Sequence, residues 1–283
     1  PAPSTATTGI AWGATRILGT TIAAGSRAEL FWTAGQSFAG RAIQTPVIIS
    51  RGEQAGPTLC LTAAIHGDEL NGVEIVRQVM ADINPGELHG TMIGVPIVNL
   101  LGFSRASRYL PDRRDLNRYF PGHPRGSSAS RIANVFFTRV IKHCDRLVDF
   151  HTGSFKRTNL PQLRADLKVP AVQKFVATFG ATAVLHKQGG QGTLRQAATA
   201  AGIPAVAFEL GEPGTLQLND VEFGVKAVDT LIDKLGMVSR FRLWSEPQPI
   251  YYKSQWLRAY RGGILTSAAK VGLRVRKGEV LGI

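Results

Sequence analysis

Thr58-Leu59-Cys60-Leu61-Thr62-Ala63-Ala64 runs directly into Ile65-His66-Gly67-Asp68-Glu69, and a helical pattern follows from Asn71 to Ile83. The first seven residues form a short apolar run of the kind that reads as a buried strand. Val73, Val76, Val79, Met80 and Ile83 then recur at helical spacing on one stripe. His66 and Glu69 stand in the turn between the two elements. In open α/β sheets, ligands bind beyond the carboxyl ends of strands, where side chains from different strands converge. His-x-x-Glu at such a turn therefore supplies two candidate metal ligands, although on its own Glu69 is also a favourable first-turn helix residue.

The same alternation continues outward from this unit. Thr91 to Val98 reads as a second strand, broken by Pro96 near its end, and 99–127 as a long irregular segment. Loops of that length in a compact domain are usually functional. A helix opens at Ser128 and carries Val135, Phe136, Val140 and Ile141, and Arg146 to Phe150 is a third strand. Val169 to Gly180 reads as helix, Ala183 to Leu185 as extended, Gly192 to Ala201 as helix, Pro204 to Phe208 as strand and Val221 to Leu235 as helix. Strands alternating with helices predict an α/β fold with a mostly parallel or mixed sheet between helical layers. Beyond about Leu235 the composition changes. Met237 to Tyr252 is irregular, and short strand-like pieces follow at Trp256–Tyr260, Gly263–Thr266, Leu273–Val275 and Val280-Leu281, predicting a small all-β appendage.

Three residues take the same place in this pattern. His66 follows the strand ending at Ala64, His151 the strand ending at Phe150, and Glu209 the strand ending at Phe208. Two histidines and a glutamate (His66, Glu69, His151) are a ligand set used by catalytic zinc, which keeps a further position for water or substrate. Asp149 lies two residues before His151, on the same strand face. It accepts either from a ligating imidazole, fixing its tautomer, or from a neighbouring backbone amide. His89, His123, His143 and His186 have no acid or histidine at ligand spacing and are read as structural or surface residues.

The chain has 283 residues, with a hydrophobic fraction of 44% that suits a sizeable core. No apolar run approaches the roughly 18 residues of a membrane span, and the polar first residues, Pro1 to Gly9, carry no apolar signal core. A cytoplasmic location is expected on that basis, with Cys60 and Cys144 as buried, reduced thiols. Net charge is +13. Seven arginines (105, 108, 113, 114, 118, 125 and 131) crowd into 101–131 against Asp112 and Asp115, a local net of +5. Such an excess attracts a nucleic acid, an anionic surface or a small anionic substrate. No basic reading helix or aromatic-interleaved basic run accompanies it.

His66-Gly67-Asp68-Glu69, Asp115-Leu116-Asn117-Arg118-Tyr119-Phe120-Pro121-Gly122, Asp149-Phe150-His151-Thr152-Gly153 and Phe208-Glu209-Leu210-Gly211 resemble, in order, motifs of the succinylglutamate desuccinylase/aspartoacylase family. The resemblance covers roughly residue 57 to the end. It implies a zinc-carboxypeptidase-like mixed sheet flanked by helices, with a small C-terminal β-domain. It further implies one zinc ion on His66, Glu69 and His151, with Glu209 as general base and then acid. An arginine, Arg108 or Arg105, would polarise the scissile carbonyl, and Asn117 and Arg118 would hold a substrate carboxylate.

These readings predict a zinc hydrolase domain over 1–236, its first 45 residues an extension with strands, and a small β domain over 237–283. The expected reaction is hydrolysis of the linear amide of an N-acyl amino acid or a similar small carboxylate-bearing compound. The expected partner is that small anionic substrate, with neither nucleic acid nor membrane. A homo-oligomer is compatible with the sequence but not read from it. The rivals are a zinc carboxypeptidase acting on peptides and, outside enzymes, a polyanion-binding protein.

Overall fold

The structure is a computed structural model that describes residues 15–36, 40, 42–239, 249–267 and 269–283. Its centre is a nine-stranded mixed sheet. The strands are β3 (Ser26–Gln36), β4 (Ala42–Arg51), β5 (Gln54–Thr62), β6 (His89–Val95), β7 (Arg146–His151), β8 (Asn159–Ala165), β9 (Ala183–His186), β10 (Ala205–Gly211) and β11 (Ile250–Tyr251). Their spatial order is β11-β9-β8-β10-β7-β5-β6-β4-β3, and a separate hairpin pairs β1 (Thr15–Ile17) with β2 (Thr20–Ile22). The central strands β10, β7, β5 and β6 run parallel. Antiparallel pairing begins at β8 on one side and at β4 on the other. The sheet is mixed, as expected.

Helices cover both faces. α1 (Asn71–Asp82), α4 (Pro170–Val176) and α6 (Leu218–Lys234) pack on one, and α3 (Ser128–Arg139) and α5 (Leu194–Ala200) on the other, while the short α2 (Leu100–Phe103) follows β6. Alternate residues of β5 serve opposite layers: Leu59 and Leu61 join Ile75, Val79 and Phe208, whereas Cys60 joins Trp32 and Phe136. A strand buried on both faces needs an unbroken apolar run, which explains the Thr58–Ala64 composition. β6 ends at Val95, one residue before Pro96, because proline has no N–H to continue the ladder. α3 starts where Ser127 Oγ accepts from the Ser130 amide, an N-cap in the usual sense.

One expectation needs correction. Cys60 and Cys144 form a disulfide instead of reduced thiols. Parallel pairing of β5 with β7, and the Asp145 amide donating to the Thr58 carbonyl, bring the two Cα atoms to 5.7 Å. The segment between His151 and Val169, not read as structured, contains the internal strand β8. None of the four short strands expected between 256 and 281 forms among the described residues. Within 249–283 the one strand is β11, which joins the main sheet beside β9. Thr266 and Ile283 exchange two backbone hydrogen bonds, both 2.9 Å. Beyond that pair and β11 the described residues show no further strand pairing in this stretch, and 240–248, part of the stretch read as irregular, lie outside them.

Candidate metal and catalytic site

The three strands that carry the predicted residues are neighbours, in the order β10-β7-β5. Glu209 is the register partner of His151 across β10 and β7, so the two stand side by side near parallel strand ends. His66 reaches them by a different route. After β5 the backbone turns through Ala64, which takes a left-handed φ of 46°. Non-glycine residues seldom adopt that conformation, and it clusters at functional sites. The turn is pinned by the Asn99 amide donating to Ala64 O (2.9 Å) and Asn99 Nδ2 donating to Ile65 O (3.2 Å). Gly67 is obligatory here: a Cβ on it would lie 2.1 Å from the backbone of Gly102 and Phe103.

His66, Glu69 and His151 are all buried, and their candidate ligand atoms lie within 4.8 Å of one another. Glu69 sits between the rings, with Oε1 2.8 Å from His66 Nδ1 and Oε2 2.9 Å from His151 Nδ1. The far nitrogen of each ring meets a second carboxylate. His151 Nε2 is 2.8 Å from Asp149 Oδ2, and His66 Nε2 is 3.2 Å from Asp115 Oδ1. Asp149 is fixed in turn by Thr62 Oγ1, which donates to Oδ1 at 2.7 Å. An Nδ1 proton makes each contact with Glu69, while the carboxylates behind both imidazoles hold a proton on each Nε2, so release of the Nδ1 proton leaves a lone pair directed at the common centre. The donor set therefore fits a divalent metal held by His66 Nδ1, His151 Nδ1 and Glu69. Of the two partners open for Asp149, the structure shows the imidazole.

The electrostatics are those of a tight ionic cluster. Burial alone would lower the proton affinity of both histidines. Glu69 and Asp115 overcome that for His66, and Asp149 and Glu69 for His151, so both are raised. Burial would raise Glu69, but the two histidines hold its carboxyl far below the usual range. Asp115 is depressed in the same way by His66, Arg108 and Arg118 against the effect of burial. Glu209 moves in the opposite direction: burial raises its carboxyl, with His151 and Arg164 opposing.

A cavity of about 400 Å³ opens over this cluster. Arg108 lines it, with Nη1 3.2 Å from Glu69 Oε1 and Nη2 3.0 Å from Asp115 Oδ2. Arg105 is exposed and lies outside the lining. Asn117 and Arg118 are also in the wall. The Asn117 Oδ1 accepts from the Leu194 amide at 2.8 Å, and Arg118 Nη1 donates to Asn117 O at 2.7 Å. All the predicted site residues except the alternative Arg105 thus meet around one cavity, and none of the other four histidines lines it. His186 instead accepts from the Leu167 amide, a structural role.

Sequence reasoning missed several groups in and behind the cavity wall. Asp115 was visible only within a motif, with no role attached. Asn159 and Arg164 from β8 both reach Glu209. Arg195, buried at the start of α5, donates to Lys187 O at 3.0 Å. Trp256 stands at the rim beneath the Arg157 guanidinium, 5.1 Å from ring centroid to Cζ.

Residues 55–235 match the model of the succinylglutamate desuccinylase/aspartoacylase catalytic domain. An N-alpha-acetyl-L-2,4-diaminobutyric acid deacetylase from Halomonas elongata is 28% identical over 254 residues, which cover 85% of this chain and 73% of that protein. A succinylglutamate desuccinylase/aspartoacylase structure from Rhodobacter sphaeroides superposes with a TM-score of 0.82 at 24% identity, covering 95% of this chain and 86% of that one. The product-bound ectoine utilization protein of Ruegeria pomeroyi superposes with a TM-score of 0.80 at 24% identity, covering 90% and 82%. Both superpositions are likenesses of fold.

Proposed function

The chain belongs to the succinylglutamate desuccinylase/aspartoacylase family, and we propose that it is a zinc-dependent deacylase that hydrolyses the amide of an N-acyl amino acid. The observation that carries this reading is the buried His66–Glu69–His151 cluster with Glu209 beside it in a cation-lined cavity. The Halomonas relative, named for deacetylating an N-acetylated diamino acid, supports the reaction class.

Zinc held by His66, Glu69 and His151 would supply Lewis acidity, acidifying water and polarising a carbonyl oxygen. Glu209 takes the proton of the attacking water and delivers it to the departing amine nitrogen as the amide C–N bond breaks. Its raised proton affinity suits both halves of that transfer. The Arg108 guanidinium faces the charge that develops on the carbonyl oxygen, a contribution of roughly 3–4 kcal/mol per donor in well-studied hydrolases. Arg118, with its planar fork, grips a substrate carboxylate at the wall formed with Asn117. Asp149 and Asp115 keep the ligand rings oriented. Residues 1–236 act as the hydrolase unit in this reading, and 237–283 form its smaller companion.

Among the described residues no helix is long and apolar enough to cross a membrane. The Cys60–Cys144 bond weighs against the cytoplasm, where disulfides are rare, so the cytoplasmic location is not carried into this reading.

The test is a screen of N-acetyl and N-succinyl amino acids for amine release, with and without a chelator. Release that stops on chelation and returns with zinc is the expected result. Release that is indifferent to chelation, or absent for every compound, would overturn the reading.

A further inference from the structure

β8 brings two side chains to Glu209. Asn159 Nδ2 donates to Glu209 Oε2 at 2.7 Å, and Arg164 Nη1 lies 3.0 Å from Oε1. Both oxygens of the carboxylate are therefore held from one strand. The strand is irregular in the way this requires. Ala207 lies opposite Arg164 and Glu209 opposite Gln162, which puts Arg164 diagonally across from Glu209 on the same sheet face. Asn159 is an odd number of residues from Arg164, so a regular strand would turn it to the other face. Instead the register shifts between Glu209 and Gly211, and Gly211 pairs with Asn159. Two residues of β10 are spanned by three of β8. The extra residue returns Asn159 to the Glu209 face, as bulges beside active sites do when they re-aim a side chain. Pro161 falls in the bulged stretch, one of the few places an internal strand accepts proline.

Arg164 also has a neighbour of like charge. Its Nε is buried with no hydrogen-bond partner among the described residues, and the cationic Arg195 lies near it. Arg195 also lies within electrostatic reach of Glu209, so two arginines share the field of that carboxylate.

We propose that the bulged β8 is a clamp in which Asn159 and Arg164 hold the Glu209 carboxylate in a single orientation for proton transfer. Both are positioning residues, and the catalytic half of this assignment rests on the deacylase reading above. The clamp fixes both carboxylate oxygens without itself touching the scissile bond. Its loss slows the chemical step while leaving substrate affinity in place.

A double-mutant cycle tests the pairing without using activity. Arg164→Met, Glu209→Gln and the double variant are compared by thermal unfolding. The Tm loss caused by Arg164→Met should shrink by more than half in the Glu209→Gln background; equal losses in both backgrounds overturn the clamp. Kinetics on an N-acyl amino acid that the wild type hydrolyses test the positioning. Arg164→Met should lower kcat at least tenfold with KM within twofold, Arg164→Lys should regain part of the loss, and Asn159→Ala should move kcat the same way by less. If Arg164→Met does not fold, the other two variants carry the comparison. A raised KM with kcat intact would make Arg164 a substrate grip and overturn the proposal. A wild type inert toward every N-acyl amino acid, with the coupling present, would sink the deacylase reading and the catalytic half of the clamp but not the pairing.

Discussion

A general base must combine a raised proton affinity with a fixed direction, and Glu209 has a structural source for each. Burial supplies the first, and β8 the second. Glu209→Gln keeps the shape but replaces one acceptor oxygen with a donating NH2 group, removing the base and weakening the β8 contacts. It should lower kcat by about 10²- to 10⁴-fold with zinc content close to wild type. Near-normal turnover would remove Glu209 from the mechanism. The ligands call for a different measurement. His66→Ala and His151→Ala each remove one of three donors, so elemental analysis after gel filtration should find far less than one zinc per chain. Stoichiometric zinc in either variant would contradict the ligand assignment. Asp115→Asn keeps the side-chain volume but weakens the hold on His66 Nε2. It should cost roughly 10- to 100-fold in zinc affinity, read by chelator competition, and an unchanged affinity would deny Asp115 that role. His66, His151 and Glu209 were legible in the sequence because each stands at the end of an apolar run. Asp115 was not, because no periodicity says where an irregular loop folds back onto a residue 49 positions earlier.

At the scale of elements, the reading succeeded where a strand is buried on both faces and failed where pairing departs from the regular pattern. β5, β7 and β10 are short apolar runs of the expected kind. β8 contains Pro161, a residue that argues against an internal strand until the bulge around it is known. The bulge is a property of two strands together, so one strand's composition cannot announce it. The C-terminal pieces show the converse case: they have strand-like composition but no partner strands among the described residues. The disulfide likewise depends on a pairing, since Cys60 and Cys144 are 84 residues apart and meet only when β5 docks on β7. Closing a loop of that length is worth about 4–5 kcal/mol by chain entropy, and removing native disulfides typically costs about 2–5 kcal/mol. Changing both cysteines to alanine should lower the unfolding free energy within that lower range, measured by denaturant titration. Two free thiols detected in denatured, unreduced protein would show that the bond is not made.

Over the whole molecule, charge distribution links the fold to the substrate. The chain carries a net +13. Arg108, Arg118, Arg157, Arg164, Lys187 and Arg195 line the cavity against Glu69, Asp149 and Glu209. All three of these acids already hold a histidine or an arginine of the site. The charged lining thus carries more cations than acids, and an excess of one sign in a cleft raises encounter rates for the opposite sign. Such steering acts over about one Debye length, which shrinks from about 30 Å at 0.01 M salt to about 10 Å at 0.1 M. For a carboxylate-bearing N-acyl amino acid, kcat/KM should fall several-fold as sodium chloride rises across that range, while kcat at saturation stays nearly constant. The carboxamide analogue, with the negative charge removed, should react more slowly at every salt concentration and show almost no salt dependence. Equal salt sensitivity for the two compounds would mean that the basic cavity does not recognise the carboxylate. A polyanion binder differs from a deacylase in the same experiment: its affinity would fall with salt, yet it would release no amine and would ignore a chelator. The cavity cations, beside the buried His66–Glu69–His151 cluster that could hold a metal, favour the deacylase.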